Sequence, residues 1–115
     1  MAVGLIRRGD ILLTNFSPAR SGEAADIRPA VVITNNMANA NAEVLVVVPV
    51  TSNLNRVYPF DLLLPNNRSG LDVDSKAQAN LLRAVNINRF IKPLGHVPED
   101  LMAQLDQRIR EHLAL

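Results

Sequence analysis

The sequence predicts a mainly β protein with one C-terminal α-helix, arranged as a small, strongly bent β-barrel or sheet that the helix caps. Short runs of β-branched residues alternate with turns through most of the chain, and a helical apolar spacing appears only near its C-terminal end. The length of 115 residues suits one domain, 1–115, and is too short for two ordinary ones.

The strands are predicted from β-branched and alternating apolar runs. They are 11–16, 29–34, 44–51, 60–64, 75–79 and 81–87. The runs 29–34 and 44–51 are apolar on both faces, which favours central strands. Pro49 predicts that pairing is interrupted within the second run, because proline has no N–H to donate. Pro-, Gly- and Asn-containing segments predict a loop at 17–26 and turns at 35–41 and 65–70.

The terminal helix is predicted from its spacing and its ends. Apolar residues recur every four positions at Leu101, Leu105, Ile109 and Leu113. Pro98 suits the first helical position, acidic residues follow it, and arginines come late, as the helix dipole favours.

Composition excludes several classes of protein. With 48% hydrophobic and 20% charged residues the chain is globular rather than disordered. The longest apolar stretch, 44–50, is too short to span a membrane. Charges in residues 1–10 occupy the place where a signal peptide needs its apolar centre, so a cytoplasmic protein without an export signal is expected. The absence of cysteine excludes disulfide scaffolds, thiolate nucleophiles and cysteine-based metal sites.

Charge is unevenly distributed along the chain. Residues 1–98 carry ten basic and seven acidic side chains, a balance of +3, whereas residues 99–115 carry two and four, a balance of −2. Ten of the twelve basic residues are arginine, which suits phosphate binding but is also an ordinary surface cation. The net charge of +1 is low for a protein that wraps duplex DNA. With three Phe, one Tyr and no Trp, any nucleic-acid contact must be mainly polar.

Few residues suggest chemistry directly. The sequence contains no P-loop, nucleophile elbow, zincin helix or dinucleotide-binding fingerprint. Asp72 and Asp74 hint at a cation site, although a solvated turn fits them better because no further acidic ligands lie nearby. Arg28, fixed by the following proline, and the hydroxyl of Thr51 at a strand end could together stabilise a phosphate that gains charge. Spacing alone does not separate this reading from a surface arginine and an ordinary strand end.

A set of short motifs, taken in order along the chain, indicates the function more specifically than these single residues do. The set comprises Arg8-Gly9-Asp10-Ile11, Ser17-Pro18, Gly22-Glu23, Arg28-Pro29-Ala30-Val31-Val32-Ile33, Val48-Pro49-Val50-Thr51-Ser52, Gly70-Leu71, Asp74-Ser75, Ala77, Arg83, Leu94-Gly95 and Pro98-Glu99-Asp100-Leu101-Met102. With these residues the chain resembles the MazF/PemK (Kid) family of toxin endoribonucleases from bacterial toxin–antitoxin modules. The match spans nearly the whole chain in order.

The resemblance implies a fold, an activity and partners. It implies an SH3-like barrel of the CcdB/Kid/MazF type, a homodimer, and cleavage of single-stranded RNA without metal or other cofactor, leaving 2′,3′-cyclic phosphate and 5′-hydroxyl ends. It also implies an antitoxin of MazE type with an acidic, disordered tail, and no membrane partner. Arg28 and Thr51 are then the catalytic pair. The family often gives the arginine the proton-transfer role as well, but a guanidinium has no acceptor and is a poor base near neutral pH, so Glu23 is the candidate base. The candidate RNA-binding residues are Arg20, Ser21, Ser52, Asn53, Asn80 and Arg83.

The chain departs from the family pattern at Ala24, where relatives usually carry a polar residue, and at Asn80 and Leu81, where they commonly carry an acidic residue and Gln. Base preference is therefore not predicted. The main rival is a gyrase poison of the CcdB type, which depends on a tryptophan near its C-terminus that this chain lacks. A non-catalytic nucleic-acid-binding barrel is the third hypothesis, against which Arg28 and Thr51 argue.

Overall fold

The computed structural model describes residues 4–18, 20–23 and 26–115. The strands are β1 (Asp10–Asn15), β2 (Ile27–Val32), β3 (Val44–Thr51), β4 (Asp61–Leu64), β5 (Ser75–Gln78), β6 (Arg83–Asn86) and β7 (Phe90–His96). The helices are α1 (Asn36–Asn41), α2 (Asn66–Ser69) and α3 (Glu99–Leu113), with 3-10 turns at Ala79–Leu81 and Ile87–Arg89. The prediction of a mainly β chain with a long C-terminal helix is confirmed.

The described strands form one antiparallel sheet in the order β4-β5-β3-β2-β1-β7, with β6 also paired to β3. The long β3 strand makes this branching possible, because its first half pairs with β6 through Val47 and its last two residues pair with β5 from Val50. Pro49 lies between these two pairings, where the strand changes its partner on that edge. Its missing N–H fits this break, as the sequence predicts.

The core lies on both faces of the central strands. On one face, Val31 and Val48 pack with Leu101 and Leu105 of α3. On the other, Val32 and Val47 belong to a second cluster. This arrangement confirms that β2 and β3 are central strands. The apolar stripe of α3 packs against the core as far as Ile109, whereas Leu113 is half exposed.

Three local elements differ from the sequence predictions. The asparagine-rich turn contains the short helix α1, because Asn35 accepts a hydrogen bond from the N–H of Ala38 and caps it. The following turn region contains α2, which ends in the left-handed Gly70. β7 was not predicted, because an edge strand that contains Pro93 and is largely exposed has no apolar period.

Among the residues that the structure describes, no helix is both long and apolar enough to cross a lipid bilayer.

Candidate active site

Strand register brings Arg28 and Thr51 together. In the β2–β3 pair, Ala30 lies opposite Pro49 and Val31 opposite Val48. Arg28 and Thr51 lie two residues beyond the last pair, Ala30 and Pro49, and so share the face of those two residues along their strands. Both residues are half-buried. The two groups therefore lie on one side of the molecule.

A cleft of about 460 Å³ contains both residues. Its lining includes Arg28 and Pro29 from β2, Val50, Thr51 and Ser52 from β3, and the segment 70–73 that follows α2. Leu13, Asp26, Ile27, Ser75 and Leu94 complete it. The cleft thus combines a cation, hydroxyl groups and two carboxylates, Asp26 and Asp72, with apolar walls.

The hydroxyl of Thr51 is oriented by the backbone that follows it. The N–H of Asn53 donates to Thr51 Oγ1 at 3.2 Å. Because one lone pair of the oxygen is engaged in this way, the hydroxyl proton is available to a ligand in the cleft. Thr51 can therefore act as a donor to an anionic oxygen.

The wall of the cleft that the segment 70–73 forms is fixed by a close backbone contact. Gly70 has φ +82° and ends α2, its N–H donating to the carbonyl of Asn66. Gly95 of β7 lies so near this helix that a Cβ there would come 2.1 Å from the carbonyl oxygen of Ser69. Glycine at 95 is thus required for the segment 70–73 to line the cleft where it does.

A second, smaller pocket of about 360 Å³ adjoins the cleft, and Thr51 lines both. Lys76 lies opposite Thr51 in the β3–β5 pair and also lines this pocket. Its buried ammonium is 2.9 Å from Asp61 Oδ2 and donates to the carbonyl of Arg56. Tyr58 and Gln78 lie in the same lining. Thr51 therefore borders both pockets, with Arg28 in the lining of the first and Lys76 in that of the second.

The sequence-predicted RNA-binding residues are only partly brought together. Ser52 lines the cleft and Asn53 the second pocket. Asn80 is exposed on the turn after β5 and lines neither pocket, and the guanidinium of Arg83 lies 5.5 Å from the ring centre of Phe16 instead.

The candidate base Glu23 does not line the cleft. It is exposed on the loop with Arg20 and Ser21, and its Oε1 accepts a hydrogen bond from the N–H of Arg20 at 2.6 Å. Ala24 lies outside the described residues. The carboxylates that the structure places at the cleft are those of Asp26 and Asp72.

Asp72 was not predicted as a cleft residue, because the sequence around a carboxylate in a turn does not reveal which distant residues lie beside it. Lys76 and Gln78 were not predicted either. Their alternation with the buried Ala77 and Ala79 could have indicated a strand with one polar face.

The hint of a cation site is not supported by the local contacts. Asp74 Oδ1 accepts a hydrogen bond from the N–H of Asn66 at 2.9 Å. Within the described part of the chain, no group of three or more His, Asp or Glu residues could hold a metal ion.

Comparisons with known proteins identify the family of this chain. A family model described as "PemK-like, MazF-like toxin of type II toxin-antitoxin system" matches residues 7–113. Endoribonuclease MazF9 of Mycobacterium tuberculosis is 46% identical over an alignment that covers 96% of this chain and 98% of that protein.

Solved structures agree as well. The crystal structure of MazF from Deinococcus radiodurans superposes with a TM-score of 0.84 at 26% identity, covering 96% of this chain and 98% of the other. A MazE–MazF crystal structure from the same organism has a TM-score of 0.76 at 23% identity, covering 96% and 97%. The prediction of a MazF-like toxin fold is confirmed, and the chain belongs to the PemK-like, MazF-like toxins of type II toxin–antitoxin systems.

Proposed function

We propose that this chain is a sequence-selective, metal-independent endoribonuclease that cleaves single-stranded RNA as the toxin of a toxin–antitoxin module. The observation that carries the proposal is the cleft that Arg28 and Thr51 both line. Membership of the toxin family and 46% identity to a protein named as an endoribonuclease support it.

The proposed reaction is an internal transfer at phosphorus. The ribose 2′-oxygen attacks the adjacent phosphorus and forms the new P–O bond, while the P–O5′ bond breaks. The products are a 2′,3′-cyclic phosphate and a 5′-hydroxyl, so one proton leaves the 2′-oxygen and one reaches the 5′-oxygen. Negative charge builds on the non-bridging oxygens in the transition state, where preorganised donors are most effective.

Arg28 and Thr51 are the donors in this proposal. The guanidinium offers several N–H groups in a rigid fork that matches phosphate geometry. The Thr51 hydroxyl, whose oxygen already accepts the N–H of Asn53, directs its proton to the same phosphate. Arg28 acts as a charge stabiliser rather than a base, because a guanidinium carries five N–H donors and no acceptor.

The proton acceptor is a carboxylate in this scheme. Asp72 and Asp26 line the cleft, whereas Glu23 is exposed and does not belong to its lining. We expect Asp72→Asn or Asp26→Asn to reduce cleavage and to change its pH profile more than Glu23→Gln does. A larger effect of Glu23→Gln than of the two aspartate variants would identify Glu23 as the proton acceptor instead.

Two protein partners belong to the proposal. A second copy of the chain forms a homodimer whose surface carries the RNA, and a MazE-type antitoxin covers that surface with an acidic, disordered tail. The excess of +3 over residues 1–98 favours both polyanions. The family's place in toxin–antitoxin systems supports the antitoxin.

The test is incubation of the purified protein with a long single-stranded RNA in EDTA, followed by analysis of the new ends. Cyclic phosphate and 5′-hydroxyl ends are expected. Arg28→Ala and Thr51→Val are each expected to lower kcat by about 10²- to 10³-fold, the usual loss for one transition-state donor. Arg110→Ala, an exposed arginine on α3, is the matched control and should cleave normally.

Two results would redirect the assignment. Cleavage that requires added magnesium would contradict the metal-independent mechanism. Tight RNA binding without cleavage would favour the non-catalytic nucleic-acid-binding barrel instead.

A further inference from the structure

The second pocket, which adjoins the cleft, has a lining of cationic and neutral side chains. Arg56 and Lys76 supply the two positive charges, and the other side chains of the lining are neutral. Among the described residues no carboxylate belongs to this lining, whereas Asp26 and Asp72 line the cleft. The second pocket therefore attracts anions, since no like charge in its lining opposes them.

Only one of the two cations is open to a ligand. The Lys76 ammonium is 2.9 Å from Asp61 Oδ2, and the two side chains are 7% and 1% exposed, so this charge is balanced inside the protein. Arg56 is exposed, and none of the salt bridges between described residues includes it. The guanidinium of Arg56 can therefore pair with an anion that enters the pocket.

The backbone of Arg56 is anchored beside Thr51. The Lys76 ammonium donates to the Arg56 carbonyl, and Lys76 lies opposite Thr51 in the β3–β5 pair. One side chain of β5 thus closes the loop that runs from Thr51 to Arg56. This anchor keeps the guanidinium near the cleft at little cost in conformational entropy when a ligand binds.

Neutral donors lie next to the guanidinium. Nη1 of Arg56 donates to the hydroxyl oxygen of Tyr58 at 3.5 Å, so the proton of that hydroxyl can be given to a ligand. Asn53 and Asn55 also line the pocket and are exposed. Because Asn53 Oδ1 accepts the N–H of Asn55 at 3.1 Å, the amide NH2 of Asn53 remains as a donor. A guanidinium fork with hydroxyl and amide donors is a set of groups that suits phosphate.

We propose that the second pocket binds a backbone phosphate of the RNA next to the scissile one, with Arg56 as its main contact. The inference rests on the proposed function, because it takes the scissile phosphate to lie at Arg28 and Thr51. Thr51 lines both pockets, so a strand with one phosphate in the cleft can place a neighbouring phosphate beyond Thr51. Every nucleotide carries a phosphate, so this contact aligns the strand without selecting its sequence.

The kinetic effect of Arg56 should differ from that of Arg28. The charge of a neighbouring phosphate does not change during cleavage, so Arg56 binds substrate and transition state equally. We expect Arg56→Gln to raise KM about tenfold and to leave kcat within about twofold, whereas Arg28→Ala lowers kcat. Tyr58→Phe removes only the hydroxyl and keeps the ring that stacks on Phe60, and it should raise KM several-fold. Arg110→Gln, at an exposed position of α3, is the control and should cleave normally.

The salt dependence of binding measures the same contact. A fully 2′-O-methylated RNA has no 2′-hydroxyl to attack, so fluorescence anisotropy can measure its affinity without cleavage. Arg56→Gln should make the slope of log affinity against log salt concentration shallower by about 0.7, the share of one phosphate contact on a single strand. Arg56→Lys keeps the charge and should keep the slope. An unchanged slope in Arg56→Gln would overturn the proposal.

A neutral linkage in the RNA tests which phosphate is bound. In the same uncleavable strand, a methylphosphonate replaces one phosphate at a time, and Kd is measured for each strand. Two adjacent replacements should each weaken binding to the wild-type protein about tenfold. One of them should lose its effect in Arg28→Ala and the other in Arg56→Gln, as coupled pairs do. The proposal is overturned if no replacement couples to Arg56, or if the coupled one is not adjacent to the one that couples to Arg28.

The outcomes separate the two proposals. If the wild-type protein cleaves no RNA, the proposed function itself fails. If it cleaves RNA, and Arg56→Gln keeps both the wild-type KM and the wild-type salt slope, only the assignment of the second pocket is overturned. Circular dichroism verifies that each variant is folded, which is expected because Arg56 and Tyr58 are exposed.

Discussion

Gly95 and Ser69, from β7 and α2, approach so closely that a Cβ on Gly95 would lie 2.1 Å from the Ser69 carbonyl oxygen. The nearest atoms are backbone, which cannot rotate away as a side-chain end can. This contact holds α2 and the following segment against the edge of the sheet. It therefore fixes one wall of the cleft that Arg28 and Thr51 also line.

Replacement of Gly95 should be costly. We expect Gly95→Ala to lower the free energy of unfolding by about 1–3 kcal/mol, as overpacking does, and to reduce RNA cleavage because the wall moves. Urea denaturation measures the first effect and a cleavage assay the second. Ala103→Ser, which adds one heavy atom at an exposed site of α3, is the control. Unchanged stability in Gly95→Ala would contradict the close contact.

The buried ion pair between Lys76 and Asp61 gives a second prediction. Their side chains are 7% and 1% exposed and 2.9 Å apart. Asp61→Asn leaves a buried ammonium without its counter-charge, so we expect a loss of about 3–5 kcal/mol in urea denaturation. The double variant Lys76→Met/Asp61→Leu removes both charges and should recover most of that loss. A double variant no more stable than Asp61→Asn would show that packing, not charge, dominates.

Acid should weaken one contact at the start of α3. A hydrogen bond from Arg68, 2.7 Å away, holds the pKa of the Asp100 carboxyl below its ordinary value. A folded-state pKa below the unfolded one stabilises the fold at pH values above the unfolded pKa of about 4, and this contribution is lost as pH falls through the folded pKa. NMR titration should therefore show a higher Asp100 midpoint in Arg68→Ala than in wild type. The same midpoint in both proteins would exclude the contact in solution.

Control for this titration comes from the other end of the helix. Arg110→Ala should leave the Asp100 midpoint in place, because Arg110 lies near the C-terminus of α3.

RNA binding should weaken with salt. A cleft that contains Arg28 binds phosphate partly through counterion release, so the logarithm of the affinity should fall linearly with the logarithm of salt concentration. Each phosphate contact on a single strand contributes a slope of about −0.7, and Arg28→Ala should reduce the slope by about that amount. Fluorescence anisotropy with labelled RNA measures it. Equal affinity at low and high ionic strength would contradict an electrostatic site.

The sequence by itself determined the elements in which buried residues recur at a regular spacing. The two-sided apolar runs identified β2 and β3 as central strands, and the four-residue spacing identified α3. Burial imposes these periods directly on neighbouring residues, so they can be read without knowledge of the partners. Pro29 restricts the backbone of Arg28 to extended conformations, which is evident from the sequence. The ordered motifs of the sequence indicated the family.

Tertiary structure alone decided which polar groups meet. Arg28 and Thr51 line one cleft, Thr51 lies opposite Lys76 in a strand pair, and Gly95 meets Ser69 through a contact between distant segments. The edge strand β7 depends on pairing with β1 rather than on a period of its own. Such contacts leave no mark on adjacent residues, because they depend on strand register and on close approach between segments far apart in the chain.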